Sequence, residues 1–145
     1  MTLRLSLLAL GALFCIPAQA ATLCTLVADA DDGRILFQQG AQQDCAARYT
    51  PASTFKLPIA LMGADAGVLK GPHEPVWQYQ SGYPDWGGDA WRQPTDPERW
   101  IKYSVVWYSQ LIAKSLGQER FQHYTSAFGY GNEDVSGEPG KNQRY

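Results

Sequence analysis

A strong β-hairpin signal near the start of this 145-residue chain limits the folds that it can adopt. Two β-prone runs, 22–28 and 34–38, flank Asp31-Asp32-Gly33, which predicts a tight turn between antiparallel strands. The rest of the chain predicts helices and loops, with no further strand. Because a two-stranded hairpin is marginally stable by itself in water, we expect an α+β fold whose sheet needs strands that this sequence does not supply.

The chain after the hairpin is predicted to be mainly helical. Pro51 is suited to the first turn of a helix over 51–66, and Gly67 to the residue that ends it. A second helical region is predicted over 95–128, where Thr95 and Glu98 have the spacing of a capping box and Gly117 interrupts the pattern. A loop is predicted for 39–50, and an ordered loop or short helices for 71–93.

The first twenty residues predict a secretory signal peptide. Arg4 precedes an apolar run over 5–16, and a small-residue cleavage site ends at Ala20. Pro17 closes the run before it reaches the roughly 20 apolar residues of a membrane-spanning helix. We therefore expect a signal peptide at 1–20 and one domain at 21–145, exported to the periplasm or secreted, without a membrane segment after cleavage.

Charge argues against a nucleic-acid partner, and the cysteine content favours a disulfide. The chain carries 12 Lys and Arg against 14 Asp and Glu, so no basic surface for nucleic acid is expected. Cys24 and Cys45 remain after signal cleavage, and an oxidising compartment favours a disulfide between them. Two buried free thiols are the alternative.

Histidines and tryptophans give no sign of a ligand site. His73 and His123 have no cysteine or acidic partner at metal-ligand spacing, so no metal is predicted. The five tryptophans are interpreted as packing residues rather than as a platform for a ligand.

Ser53 and Lys56 stand three residues apart at a predicted helix start. Residues at i and i+3 share one helix face, about 5–6 Å apart at Cβ, so the amine can reach the hydroxyl. Lys56 could then act as the base for a Ser53 nucleophile, although a serine N-cap followed by a surface lysine would produce the same pattern. Apolar neighbours on both sides favour a desolvated amine with a lowered pKa, and Pro58 predicts a distorted first turn.

Three short motifs together resemble those of the class D, oxacillinase-type, serine β-lactamases. They follow in chain order as S-T-F-K at 53–56, S-V-V at 104–106 and Y-G-N at 130–132. Taken singly, Ser104 could be a helix N-cap and Y-G-N a turn. The resemblance covers the mature chain but only the N-terminal half of the family's domain, and it implies a serine β-lactamase and penicillin-binding transpeptidase-like fold.

The resemblance implies hydrolysis of penicillin-type antibiotics, and hence antibiotic resistance, through a serine acyl-enzyme. Ser53 would be the nucleophile and Lys56, carboxylated at its Nζ by carbon dioxide, the general base; no other cofactor is implied. Ser104 would relay a proton to the departing ring nitrogen. The residues expected to shape the site are Val106, Tyr130 and Asn132. A β-lactam is the expected partner, and the family also allows a homodimer of the full-length form.

Two features of the family are missing from this sequence. The third motif, a lysine followed by threonine or serine and then glycine on a strand, is absent, and so is a tryptophan that follows the tyrosine motif. The sequence therefore predicts a class D β-lactamase with a truncated domain at 21–145, and turnover without the missing motifs is not expected. The alternatives are a β-lactam-binding sensor domain and a non-functional fragment.

Overall fold

The computed structural model describes residues 21–135, so the predicted signal peptide lies outside the described residues. The chain divides into two compact units, with the boundary between Ala47 and Arg48. The elements are strands β1 (Cys24–Ala28) and β2 (Ile35–Gly40), helices α1 (Gln42–Ala46), α2 (Lys56–Asp65), α3 (Pro97–Tyr103) and α4 (Val106–Ala127), and 3₁₀ helices at Ala52–Phe55 and Gly88–Trp91. No helix within 21–135 is both long and apolar enough to cross a membrane.

The first unit is built on the predicted hairpin, which is confirmed. Strands β1 and β2 pair antiparallel, with Leu26 opposite Gln38. The Asp29 side chain accepts the Asp31 N–H at 2.9 Å, and Gly33 adopts a φ of 72° that suits glycine. Local side-chain hydrogen bonds and one glycine therefore form the turn.

A short helix occupies part of the segment predicted to be a loop. Helix α1 lacks a side-chain N-cap, so the sequence around Ala41 carries no start signal, and the loop prediction for 39–50 was wrong here. The helix brings Cys45 to β1, where its Sγ lies 2.08 Å from that of Cys24, as in a disulfide. Large apolar side chains of the hairpin remain about half exposed, namely Leu23, Leu26, Val27, Ile35, Leu36 and Phe37.

The second unit packs helix α2 against helix α4. Ile59 and Met62 of α2 and Ile112 of α4 are fully buried in its core. A Cβ on Gly63 would lie 3.1 Å from the Ile112 side chain, so the glycine allows the helices to approach closely. The predicted helix over 51–66 is confirmed from Lys56 onward.

Helix ends follow the sequence signals with one exception. Gly67 has a φ of 70° just after α2, and Gly117, with a φ of 74°, interrupts α4, both as expected. The capping box predicted for Thr95 was wrong, because Asp96 is the N-cap of α3 and accepts the Arg99 N–H at 2.8 Å. The Thr95 hydroxyl instead donates to the Gln93 carbonyl.

Aromatic side chains fill much of the core of the second unit. Trp100, Trp107 and Tyr108 are fully buried, and the Trp100 and Tyr108 rings stack at 5.5 Å between centroids. Four tryptophans pack as expected, because Trp91 is also buried and Trp77 is half-buried. Trp86 differs, since 74% of it is exposed.

Candidate active site

Ser53 lies in a tight turn rather than in regular helix. The 3₁₀ helix begins after Pro51, whose carbonyl accepts both the Thr54 N–H at 3.1 Å and the Thr54 hydroxyl at 2.6 Å. Ala52 is held at a φ of 46°, a region that residues with a side chain rarely adopt. The backbone before Ser53 is therefore strained, and the Ser53 side chain faces solvent.

Lys56 is buried at the first turn of α2, with only 7% of the residue exposed. Its amine donates to Ser53 Oγ at 3.2 Å. Burial lowers the pKa of Lys56 below the ordinary lysine value, because desolvation disfavours the charged form. The predicted pairing of serine and lysine on one helical turn is thus observed, with a desolvated amine.

Ser104 comes to the same point from a distant part of the chain. Its hydroxyl donates to Ser53 Oγ at 2.8 Å, although the two residues are 51 positions apart. Ser104 ends α3 in the left-handed conformation, with φ 54° and ψ 41°, and α4 begins two residues later. The turn between α3 and α4 therefore presents this hydroxyl.

Lys56, Ser53 and Ser104 form a chain of two hydrogen bonds centred on Ser53 Oγ. A neutral amine on one side can accept the hydroxyl proton, and a second hydroxyl on the other side can donate one. This arrangement can activate a serine for attack on a carbonyl and protonate a leaving group that sits near the second hydroxyl.

Val106 and Tyr130 contact other parts of the second unit. Val106 is the half-buried first residue of α4 and packs against the core. The Tyr130 ring lies 5.1 Å from the ring of Phe55, which stands between Ser53 and Lys56 in sequence. The Y-G-N segment is therefore linked to the turn that carries Ser53 through Phe55.

Asn132 has a different set of neighbours. Its side-chain oxygen accepts the Asp134 N–H at 3.3 Å, and the residue lines a cavity of about 440 Å³. Tyr130 and Phe55 also line this cavity, whereas Ser53, Lys56 and Ser104 are not part of its wall. The structure thus brings Ser53, Lys56 and Ser104 into direct contact and leaves Tyr130 and Asn132 together at the cavity beside the Ser53 turn.

Two contributors to the site carry no sequence signal that predicts them. Ala52 adopts its unusual φ although alanine has no preference for it. The Arg48 side chain donates to the carbonyl of Gly131, joining the segment before Pro51 to the Y-G-N turn. Within residues 21–135, no cluster of three or more His, Cys, Asp and Glu side chains is arranged to hold a metal ion.

Residues 23–144 match the penicillin binding protein transpeptidase domain. The chain belongs to this transpeptidase-domain family. The predicted fold class is confirmed by the same match and by a solved class D β-lactamase, OXA-427, which is 48% identical with a TM-score of 0.75. That alignment covers 83% of this chain and 48% of the solved one.

Curated relatives of this transpeptidase-domain chain include named β-lactamases. Beta-lactamase OXA-9 of Klebsiella pneumoniae is 43% identical over 118 residues, which are 81% of this chain and 42% of that protein. The Methicillin resistance mecR1 protein of Staphylococcus aureus is 37% identical over 91 residues, which are 62% of this chain and 15% of that protein. The predicted resemblance to the N-terminal part of class D β-lactamases is confirmed. The chain spans less than half the length of these relatives.

Proposed function

We propose that this chain carries the acylation site of a class D β-lactamase that hydrolyses penicillin-type antibiotics. The observation that carries the proposal is the contact of Ser53 Oγ with both the Lys56 amine, at 3.2 Å, and the Ser104 hydroxyl, at 2.8 Å. Similarity to named β-lactamases supplies the substrate class. Resistance to these antibiotics is the biological consequence.

Acylation forms one bond, breaks one bond and moves the Ser53 proton to the departing nitrogen by way of Lys56 and Ser104. Ser53 Oγ forms a bond to the β-lactam carbonyl carbon while its proton passes to the side chain of Lys56. The ring C–N bond breaks, and Ser104 relays a proton to the departing nitrogen: its hydroxyl proton moves to that nitrogen and is replaced by the proton that Lys56 accepted, which leaves both side chains as they began. The Ser53 backbone N–H stabilises the negative charge that develops on the carbonyl oxygen. Water then hydrolyses the acyl-enzyme.

Carboxylation of Lys56 by carbon dioxide is part of the proposal. Only a neutral amine adds carbon dioxide, and a buried amine with a lowered pKa fits that requirement. When present, the carbamate supplies the base for Ser53 and for the hydrolytic water. In this proposal Val106 keeps water from the Lys56 side chain, and Tyr130 and Asn132 shape the approach of the substrate. No further cofactor is needed.

The location in the cell follows from the substrate. A β-lactamase protects its cell by acting outside the cytoplasm, so we propose export to the periplasm or secretion after cleavage near Ala20. The β-lactam is then the partner of the site, without nucleic acid, and a homodimer of the full-length form remains part of the proposal.

A β-lactam-binding sensor domain is the second candidate function. The similarity to the methicillin resistance protein of Staphylococcus aureus, which is not named a β-lactamase, favours it. Both functions begin with acylation of Ser53, and they differ in whether the adduct is hydrolysed.

Intact-mass spectrometry of the full-length protein, purified from its source and briefly exposed to a penicillin, tests the proposal. We expect a mass increase equal to the penicillin that disappears within minutes once free penicillin is removed. Ser53→Ala should form no adduct, whereas Ser115→Ala, which removes an exposed hydroxyl on α4 that binds only its own helix backbone, should react normally. A persistent adduct would support the sensor function instead, and no adduct on the unmodified protein would overturn both.

Labelling with ¹³C-bicarbonate tests the carbamate separately. We expect a carbamate carbon signal in the NMR spectrum that disappears on acidification and is absent from Lys56→Ala. The same variant should form at most a slowly hydrolysed adduct. A carbamate signal that persists in Lys56→Ala would place the modification elsewhere.

A further inference from the structure

Ser104 has a backbone conformation that requires support from its surroundings. Its φ of 54° lies in the left-handed region, which a residue with a Cβ adopts at a cost in free energy. Val105, directly after it, is fully buried and extended. The position of the Ser104 hydroxyl therefore depends on groups that hold the chain on both sides of this turn.

Trp91 takes part in two hydrogen bonds, one to the chain before Ser104 and one to the chain after it. The Trp91 Nε1–H donates to the carbonyl of Tyr103, immediately before Ser104, at 2.8 Å. The Trp107 Nε1–H, three residues after Ser104, donates to the carbonyl of Trp91 at 2.8 Å. Trp91 is 5% exposed and Trp107 is fully buried. Because water does not replace a lost partner at such positions, breaking either hydrogen bond costs free energy.

The fold leaves room for the Trp91 ring at one specific place. A Cβ on Gly87 would overlap the indole of Trp91, so the ring lies directly against this glycine. The Gly87 φ of −78° is ordinary, which means that glycine is needed there for space and not for backbone conformation. Packing therefore determines the direction in which Trp91 donates.

We infer that Trp91, assisted by Trp107, is a positioning residue that holds Ser104 in hydrogen-bond contact with Ser53. The inference rests on the proposed function, in which Ser104 delivers a proton to the departing nitrogen. Neither tryptophan touches the reacting atoms. Removing the Trp91 N–H releases the Tyr103 carbonyl, and Ser104 then relaxes from its left-handed conformation and its hydroxyl moves from Ser53 Oγ.

A matched control exists in the same aromatic core. The Trp100 Nε1–H donates to Ser109 Oγ at 2.8 Å, and both residues are buried. Trp100→Phe and Trp91→Phe each remove one buried indole hydrogen bond, so similar losses of stability are expected. Only the Trp91 bond ends on a residue adjacent to Ser104.

Acylation rates in single and double variants provide the first readout. We expect Trp91→Phe to slow acylation by a penicillin on the order of 10²-fold, the effect of a displacement of about 1 Å in a reacting group, and Trp100→Phe to leave the rate nearly unchanged. In a Ser104→Ala background, Trp91→Phe should cause no further loss, because its effect acts through that hydroxyl. Equal slowing by both tryptophan variants, or an undiminished effect without the Ser104 hydroxyl, would overturn the inference.

Crystal structures of the variants provide a second readout that does not need activity. In Trp91→Phe, and in Trp107→Phe as an independent variant, the distance between Ser53 Oγ and Ser104 Oγ should increase beyond hydrogen-bond range, while Trp100→Phe keeps it. An unchanged contact in both variants would overturn the inference. A lengthened contact in a protein that forms no penicillin adduct would retain the positioning role and reject the proposed function.

Discussion

At the scale of single residues, the proposed acylation depends on the ionisation of Lys56. The amine is buried and donates to Ser53 Oγ at 3.2 Å. Desolvation lowers its pKa, which increases the fraction of neutral amine at a given pH. A protonated amine can neither accept the Ser53 proton nor add carbon dioxide.

The rate of Ser53 acylation should therefore rise with pH along a limb whose midpoint lies below the ordinary lysine value of 10.5. As pH falls through the lowered pKa of Lys56, the amine becomes charged and acylation slows. Quenched-flow mixing with a penicillin, followed by mass spectrometry, measures the acylation rate across the pH range. Lys56→Arg should stay protonated and unreactive throughout. A rate independent of pH, together with reactivity in Lys56→Arg, would contradict the assignment of the base.

At the scale of elements, the N-terminus of α3 is stabilised by a pair of ionisable side chains. Asp96 caps the helix through the Arg99 N–H, and its other carboxylate oxygen lies 3.0 Å from His73 Nδ1. Glu98 is the second acidic group near the imidazole, 3.6 Å from Nε2. The hydrogen bond to Asp96 raises the pKa of His73, and the Arg99 N–H followed by His73 lowers the pKa of Asp96.

His73→Gln should destabilise the protein in a pH-dependent way. Because the pKa of His73 is raised on folding, its contribution to stability is complete below its ordinary pKa of 6.5 and is lost as pH rises through the raised value. We expect a lower urea midpoint for His73→Gln at about pH 5.5 and almost no difference at about pH 9.

Asp96→Asn provides the matched background for this test. Asparagine still caps a helix but carries no charge, so the effect of His73→Gln should shrink in that background. A midpoint difference that is the same at both pH values would show that His73 contributes by packing and not by its charge.

At the scale of the whole molecule, the two units differ in how they are held together. The second unit has a core of buried apolar side chains from α2 to α4, among them Ile59, Trp107 and Ile112. Within residues 21–47, no side chain is fully buried. A two-stranded hairpin is marginally stable in water, so the disulfide between Cys24 and Cys45 contributes a large share of the order in the first unit.

Replacing both cysteines by serine should loosen the hairpin. The bridge spans a sequence separation of 21. Closing a loop of this size reduces the conformational entropy of the unfolded chain and so stabilises the folded state by about 3 kcal/mol. We expect the amides of β1 and β2 to lose protection in hydrogen exchange, and reduction of the unmodified protein should reproduce the loss. Unchanged protection after both treatments would show that packing alone holds the strands.

Local rules accounted for much of the fold. The hairpin turn, the end of α2 at Gly67 and the interruption of α4 at Gly117 follow from turn residues and from backbone conformations that favour glycine. The two errors had different causes, a competing cap residue in one case and a missing start signal in the other. Asp96 displaced Thr95 as the cap of α3, and α1 formed without a cap beside the disulfide.

The contact between Ser53 and Lys56 follows from their spacing, because a helical turn brings residues three apart onto one face. The contact with Ser104 depends on tertiary packing, and it was expected from resemblance and not from spacing. That contact joins residues 51 positions apart, and it depends on a left-handed turn that the Trp91 indole holds from outside the motif. Hydrogen-bond geometry along one helix is fixed by chain connectivity, whereas the approach of α3 and α4 to the Ser53 turn is fixed by how buried rings and helices pack.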